Sequence, residues 1–227
     1  MNDRTFGEET ARQWIQIIES RGNPVREQDL SPLLRSWVET ASPKRLLEIG
    51  CGQGDCSARI NLTNRSYVGI DPSPFLINRA KELYESEERR FMSGNAYKLP
   101  FSEREFDGVF SVMVWHLLSE VQTAAREMSR VMRPSGHFLM VTANPEARSE
   151  WAEFYINVNI TGRCLEGDIQ GEGKILDHDV LYLHPLDDIV STLRFAGLEV
   201  GSIASFRKSQ QGQGREYLIA IQGMRVR

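Results

Sequence analysis

Leu46-Leu47-Glu48-Ile49-Gly50-Cys51-Gly52-Gln53-Gly54-Asp55 is the stretch that decides the fold: an apolar run breaks into three alternating glycines and then passes into a helical pattern. A residue without Cβ takes positive φ at little steric cost and leaves no side chain in the way. A strand that ends in glycines therefore lets backbone approach a ligand closely. The helix expected near 54–61 would present unpaired N–H groups to an anion at its start. The register separates this loop from a dinucleotide fingerprint. The pattern G-x-G-x-x-G begins at Gly50 and Gly52 but requires its third glycine at position 55, which is Asp55. A carboxylate there suits a helix cap and repels a pyrophosphate, so the loop fits a ligand with little negative charge at that point.

Working outward, Tyr67-Val68-Gly69-Ile70-Asp71-Pro72-Ser73-Pro74 is a second β-like run that ends in a carboxylate. It lies about 20 residues beyond the glycines, the spacing at which such folds bind ribose hydroxyls. Asp71 is the expected ribose clamp. Its alternative role is capping the next helix, but Ser73 and Pro74 already read as N-cap and first helical position, ahead of Phe75, Leu76, Ile77 and Ala80.

From Arg45 onward, strand and helix patterns alternate. Strands are expected near 45–50, 66–70, 90–93, 107–113 and 136–142, with helices near 54–61, 74–86 and 120–132. This alternation predicts a mostly parallel sheet with helices on both faces. Ser119 with Gln122 reads as a capping box, and Arg130, Arg133, Pro134 and Gly136 as a helix end before the fifth strand. Ahead of the first strand, an amphipathic helix is expected over about 5–21 (Phe6, Trp14, Ile15, Ile17, Ile18), stopped by Gly22, Asn23 and Pro24. A second begins at Ser31-Pro32 and ends before Pro43. Between Asn144 and Leu183 the pattern loosens into an insertion with Trp151, Phe154, Tyr155 and a glycine-rich stretch, Gly162 through Gly173. A helix at 186–196 and strands near 198–206 and 215–222 follow.

The chain has 227 residues, enough for one substantial α/β domain, and a formal net charge of −4, which leaves no electrostatic footprint for nucleic acid. Cys51, Cys56 and Cys164 form no C-x-x-C pair and have no histidine at ligand spacing. This argues against a disulfide framework and a structural metal site, and for a reducing compartment. No apolar run reaches the roughly 18 residues of a membrane span and no signal-peptide core opens the sequence, so a soluble, cytoplasmic protein is expected.

Four blocks carry a family resemblance: LLEIGCGQG (46–54), VGIDPSP (68–74), GNAYKLPFSEREFDGVFS (94–111) and VMRPSGHFLMV (131–141). In order and spacing they resemble the class I S-adenosylmethionine-dependent methyltransferases. The Leu99-Pro100-Phe101 and Phe106-Asp107 block is especially like the branch that includes quinone-biosynthesis and many natural-product enzymes. The resemblance implies a Rossmann-like three-layer α/β/α sandwich, with a seven-stranded, mostly parallel sheet ending in an antiparallel hairpin. It also implies a single domain, divided into an N-terminal helical cap (1–43), a cofactor-binding core (44–144), a substrate lid (145–183) and a C-terminal helix and strands (184–227).

The cofactor implied is S-adenosylmethionine, with S-adenosylhomocysteine as product. Glu48 would face the amino end of its methionine portion, and the backbone of Gly50, Cys51, Gly52 and Gly54 would line it. Asp71 would take the ribose hydroxyls, with Pro72 and Ser73 beside the adenine. Asn95 and Ala96 would reach the adenine edge, and Ser111 and Val112 would flank the methionine. Asn95 departs from the acidic residue usual in that branch, so an amide oxygen would accept from the adenine amino group. Read alone, Glu48 is equally a carboxylate paired with Arg45.

Methyl transfer from a sulfonium is an in-line displacement with an activated leaving group, so the protein chiefly binds, aims and desolvates the reactants. His116, just beyond the fourth strand, is the candidate catalytic residue. A neutral imidazole can take a proton near pH 7, and the alternative is a histidine that orders its loop or touches the cofactor. His178, His184, Tyr155 and Tyr182 could line an acceptor pocket, whereas His137 lies at the wrong end of its strand. The expected activity is methyl transfer to an oxygen, nitrogen or carbon of a small molecule. The competing readings are a nicotinamide-dependent oxidoreductase and a non-catalytic binding module.

Overall fold

The computed structural model describes residues 8–12, 15, 26–171, 174–207 and 216–226. Seven strands form the main sheet: β1 (Arg45–Ile49), β2 (Ser66–Asp71), β3 (Arg89–Ser93), β4 (Phe106–Val112), β5 (Met132–Ala143), β9 (Leu198–Arg207) and β10 (Glu216–Arg225). Their order is β3-β2-β1-β4-β5-β10-β9. The first five pair in parallel, and β10 runs antiparallel to both of its neighbours. This is the expected sheet with its closing hairpin.

Five α-helices are fully described: α1 (Ser31–Ala41), α2 (Pro74–Tyr84), α3 (Val121–Val131), α4 (Arg148–Ala152) and α5 (Leu186–Phe195). Adjacent strand residues point to opposite faces, so Leu46 and Leu47 enter different cores. One core joins Leu46, Tyr67, Phe110 and Val141 to Leu34, Trp37 and Val38 of α1 and to Ile77 and Ala80 of α2. The other joins Leu47, Val109, Phe138 and Ile219 to Ala125 and Met128 of α3 and to Ile189 and Leu193 of α5. Both faces of the sheet are covered. That is why β1, β4 and β5 read as nearly continuous apolar runs.

Four local expectations change. The helix expected at 54–61 is a single 3-10 turn, Ser57–Arg59, with Cys56 rather than Asp55 at its N-cap position. α3 starts at Val121 behind Glu120, so Ser119 and Gln122 do not form its capping box. β5 starts directly after α3 at Met132, because Met132 already pairs with Phe106 across a register shift. The insertion is not loose: after α4, β6 (Ile156–Thr161), β7 (Cys164–Gly171) and β8 (Lys174–Tyr182) form a separate antiparallel sheet. Residues 8–12 and 15 are helical, while Phe6, Trp14, Ile17, Ile18, Gly22, Asn23 and Pro24 lie outside the described residues. No helix among the described residues is long and apolar enough to cross a membrane.

Candidate cofactor and acceptor site

The strand order reverses between β1 and β4, and the carboxyl ends of those strands are where an open α/β sheet holds its ligand. The glycine loop after β1 lies there. Gly50, Gly52 and Gly54 have φ of 74°, 53° and 86°. A Cβ at Gly50 would collide with Val114, and one at Gly54 with Phe91 and Tyr84, whereas one at Gly52 would meet nothing within 4 Å. The outer glycines thus serve packing, and the middle one faces open space.

The loop's donors are spent within the chain. Gly50 and Cys51 N–H both donate to Ile70 O (2.8 and 2.9 Å), and Gly54 N–H donates to Cys51 O (2.9 Å). Gly52 N–H donates to Asp71 Oδ2 at 3.0 Å. With these four amides committed and only one 3-10 turn following, the loop is not a phosphate cradle, which removes the main support for a nicotinamide dinucleotide. Asp55 faces Arg59 at 4.0 Å and accepts from Tyr84 Oη at 3.4 Å.

Asp71 closes β2 and is 8 % exposed. Its Oδ1 accepts Ser73 N–H at 2.9 Å, so the carboxylate itself braces the entry to α2. Ser73 stands at the N-cap position without a side-chain capping bond. Burial raises the pKa of Asp71, opposed by the bonds from Ser73 and Gly52. A carboxylate has about four lone-pair sites, and these two N–H groups use two. Two remain, which is what a ribose diol requires. The loop also carries Gln53, 3 % exposed, whose Oε1 has no partner among the described residues. The cradle over Gly52 and the remaining acceptor capacity of Asp71 fit a nucleoside whose sulfonium is cationic.

Other candidates take different roles. Glu48 is 1 % exposed and accepts from Tyr67 Oη, while Arg45 pairs with Glu105 instead. Gly69 makes room for that arrangement, since a Cβ there would strike the Tyr67 hydroxyl and Cys51. Burial, with Glu48 and Asp71 adding repulsion, pushes the Cys51 thiol well up, which makes it inert. Asn95 Oδ1 already accepts Tyr97 N–H (3.0 Å) and Lys98 N–H (3.1 Å). Its amide nitrogen is therefore the group left to a ligand, as a donor. Ala96 is buried beside it, and Pro72 is exposed at the end of β2. Ser111 is 1 % exposed and accepts from Trp115 Nε1 at 2.8 Å, which locks the loop after β4, and Val112 is half-buried. Met113 follows at φ 63°, a strained turn where β4 meets the site.

His116 lies in the turn Trp115–Leu117 and is 6 % exposed. Its ring stacks on Trp151 of α4 at 5.6 Å, and Trp151 Nε1 donates to Tyr217 O at 2.9 Å. Its backbone N–H and Nδ1 both face Thr142 Oγ1, at 3.1 and 3.2 Å. The insertion thereby touches the end of β4, with Leu165 and Leu181 in the core shared with Phe110. Tyr155 Oη donates to the buried carboxylate of Asp179 at 2.9 Å. His184 faces Leu118 O at 2.9 Å, and burial lowers its pKa. His178 pairs with Asp168 on the insertion's exposed side. Tyr67, Thr142 and Trp151 escape sequence reading because each looks like an ordinary strand or core residue. A cavity of about 390 Å³ between α1 and the β9–β10 hairpin is lined by His137 and by none of the residues of this site.

Sheet order, glycine loop and acidic β2 end define a Rossmann-like ligand-binding domain of the S-adenosylmethionine class. Residues 47–140 match the model of the methyltransferase domain. Those residues carry a methyltransferase domain, and the chain resembles the class I S-adenosylmethionine-dependent methyltransferases. It is 36 % identical over 104 residues to the fatty-acid O-methyltransferase of Mycolicibacterium smegmatis, covering 45 % of this chain and 38 % of that one. It is 31 % identical over 184 residues to the phthiotriol/phenolphthiotriol dimycocerosates methyltransferase of Mycobacterium tuberculosis, covering 76 % and 66 %. The chain thus spans between about a third and two thirds of these relatives' lengths. Among solved structures, the N-methyltransferase NodS of Bradyrhizobium japonicum superposes with a TM-score of 0.64 at 16 % identity, over 91 % of this chain and 99 % of that one. At that identity the likeness is one of fold.

Proposed function

We propose that this protein transfers the methyl group of S-adenosylmethionine to an oxygen of a small, largely apolar acceptor. The observation that carries the reading is Asp71, a buried carboxylate braced by Gly52 and Ser73 N–H with two lone-pair sites to spare beside an open glycine. When bound, S-adenosylmethionine supplies an electrophilic methyl on a positively charged leaving group, so the chain's work is to bind, orient and exclude water. Asp71 holds the ribose, and the backbone at Gly50, Cys51, Gly52 and Gly54 lines the methionine. Asn95 and Ala96 border the adenine, with Pro72 and Ser73 beside it. Ser111 and Val112 fix the floor after β4. Glu48, tied to Tyr67, puts negative charge beneath the loop and favours the cation above it.

His116 is the residue assigned to the acceptor, and the insertion 145–183 is its lid and specificity element, hinged on Trp151. An oxygen acceptor is supported by the relative named a fatty-acid O-methyltransferase, and a second relative is named for phthiotriol and phenolphthiotriol dimycocerosates. The finer likeness to quinone-biosynthesis enzymes rests on the Leu99-Pro100-Phe101 and Phe106-Asp107 block alone. The test is transfer of a labelled methyl from S-adenosylmethionine to a panel of fatty acids, long-chain alcohols, phenols and amines. Label on oxygen acceptors, abolished in Asp71→Ala, supports the reading. Label on amines alone contradicts it.

A further inference from the structure

The run Leu99-Pro100-Phe101 lies in neither helix nor strand, and Pro100 has no N–H, so its backbone polar groups need partners from elsewhere. Leu99 is 3 % exposed, in the core beside Ala124, Ala125 and Met128 of α3. Phe101 packs edge-on against Phe106, with ring centroids 4.9 Å apart. Two side chains of α3 serve the backbone between them. Leu99 N–H donates to Glu127 Oε2 at 2.8 Å. Arg130 Nη2 donates to Leu99 O at 3.0 Å and Nη1 to Phe101 O at 2.8 Å. The same guanidinium grips Glu127, Nε to Oε1 at 2.7 Å and Nη2 to Oε2 at 2.8 Å. Four of its five N–H groups are thereby used. The bond from Arg130 holds the Glu127 carboxyl below its ordinary range, so the pair stays ionised. Only a planar fork reaches a carboxylate and two carbonyls at once.

The gripped run is the far end of a wall that starts at Asp71. Asp71 pairs with Ser93 across β2 and β3, and Gly94 N–H donates to Asp71 O at 3.1 Å. Asn95 follows, bridged to Lys98, and Ala96 is buried in the same core as Leu99. We infer that Glu127 and Arg130 are positioning residues that clamp the 95–101 loop from α3 and so hold the Asn95–Ala96 wall in place for the nucleoside. This rests on the S-adenosylmethionine reading and deepens it. Neither side chain has to touch the ligand. A wall fixed in advance spares the ligand the cost of ordering it on binding.

Calorimetric titration of the full chain with S-adenosylhomocysteine and with 5′-methylthioadenosine tests this, because the second probe keeps the nucleoside and lacks the amino-acid end. Arg130→Lys keeps a positive charge beside Glu127 and loses the fork. Its affinity for both probes should fall by the same factor, about 2- to 30-fold, the range for a residue that acts on a ligand without contact. Amide hydrogen exchange at Leu99 should quicken in the same variant. Glu127→Gln, which keeps an oxygen for Leu99 N–H but breaks the charged pairing, serves as the second variant if Arg130→Lys does not fold. A role confined to stability would lower the unfolding temperature and leave both affinities unchanged, and that result overturns the proposal. A loss confined to S-adenosylhomocysteine, or unchanged exchange at Leu99, overturns it as well. Failure of the wild-type chain to bind either probe would instead remove the S-adenosylmethionine reading, and the ligand role of the clamp with it.

Discussion

Substituting alanine at Gly52 and at Gly50 separates the space the loop keeps for a ligand from the space it keeps for itself. Both glycines have positive φ, 53° and 74°, which costs a residue with a Cβ about 1–2 kcal/mol. At Gly52 nothing lies within 4 Å of the added methyl, so that strain is the whole expected loss of stability. The methyl would stand where the ligand approaches. Overpacking of about 1–3 kcal/mol against a bound nucleoside predicts an affinity for S-adenosylhomocysteine lowered by about 5- to 150-fold. At Gly50 the methyl collides with Val114, and strain plus overpacking predicts a stability loss of about 2–5 kcal/mol. Val114→Ala in the same chain should recover the overpacking part. Urea unfolding and calorimetric titration read the two quantities independently. Gly52→Ala with unchanged affinity, or Gly50→Ala with no more destabilisation than Gly52→Ala, would refute the reasoning.

Trp151→Phe keeps an aromatic ring over His116 but loses the bond from Nε1 to Tyr217 O. Thermal unfolding should show about 0.5–1.5 kcal/mol of destabilisation, against about 3–5 for Trp151→Ala. Because burial raises the pKa of Asp71, its ionised form should be lost on acidification above the ordinary carboxylate range, and affinity for S-adenosylhomocysteine should fall with it in titrations at stepped pH. The same raised pKa acts oppositely on the unliganded fold. Its contribution to stability is full at acid pH, with the carboxyl protonated, and is lost as pH rises through the folded pKa. Cys51, buried and with its thiol pushed up, should resist iodoacetamide until the chain is unfolded, as peptide mapping will show.

The sheet is legible in the sequence because its central strands β1, β4 and β5 are buried on both faces and the runs are punctuated by glycine and proline. β1, β2, β3 and β4 fall within a residue or so of their expected bounds. The turn after the glycine loop is misread because Asp55, Cys56 and Ser57 carry helix-start chemistry while the loop's amides are already bonded to Ile70 and Cys51, leaving room for one turn. The meander in the insertion is hidden because β6 is exposed along its whole length and shows no alternation between a buried and a solvent face. The place of Asp71 at the end of β2 is legible from spacing. That Asn95 Oδ1 is consumed by Tyr97 and Lys98, and that His116 faces a threonine from β5, depends on contacts that no local pattern carries.

The central claim is that the loop from Gly50 to Gly54 and Asp71 form a nucleoside site specific for S-adenosylmethionine. The measurement that tests it most directly is calorimetric titration of the purified chain with S-adenosylmethionine, S-adenosylhomocysteine and NAD as control. Saturable binding of the first two, absent for NAD and lost in Asp71→Ala, is the predicted result. Binding of NAD in preference to either sulfur nucleoside, or no binding of any of the three, would contradict the account.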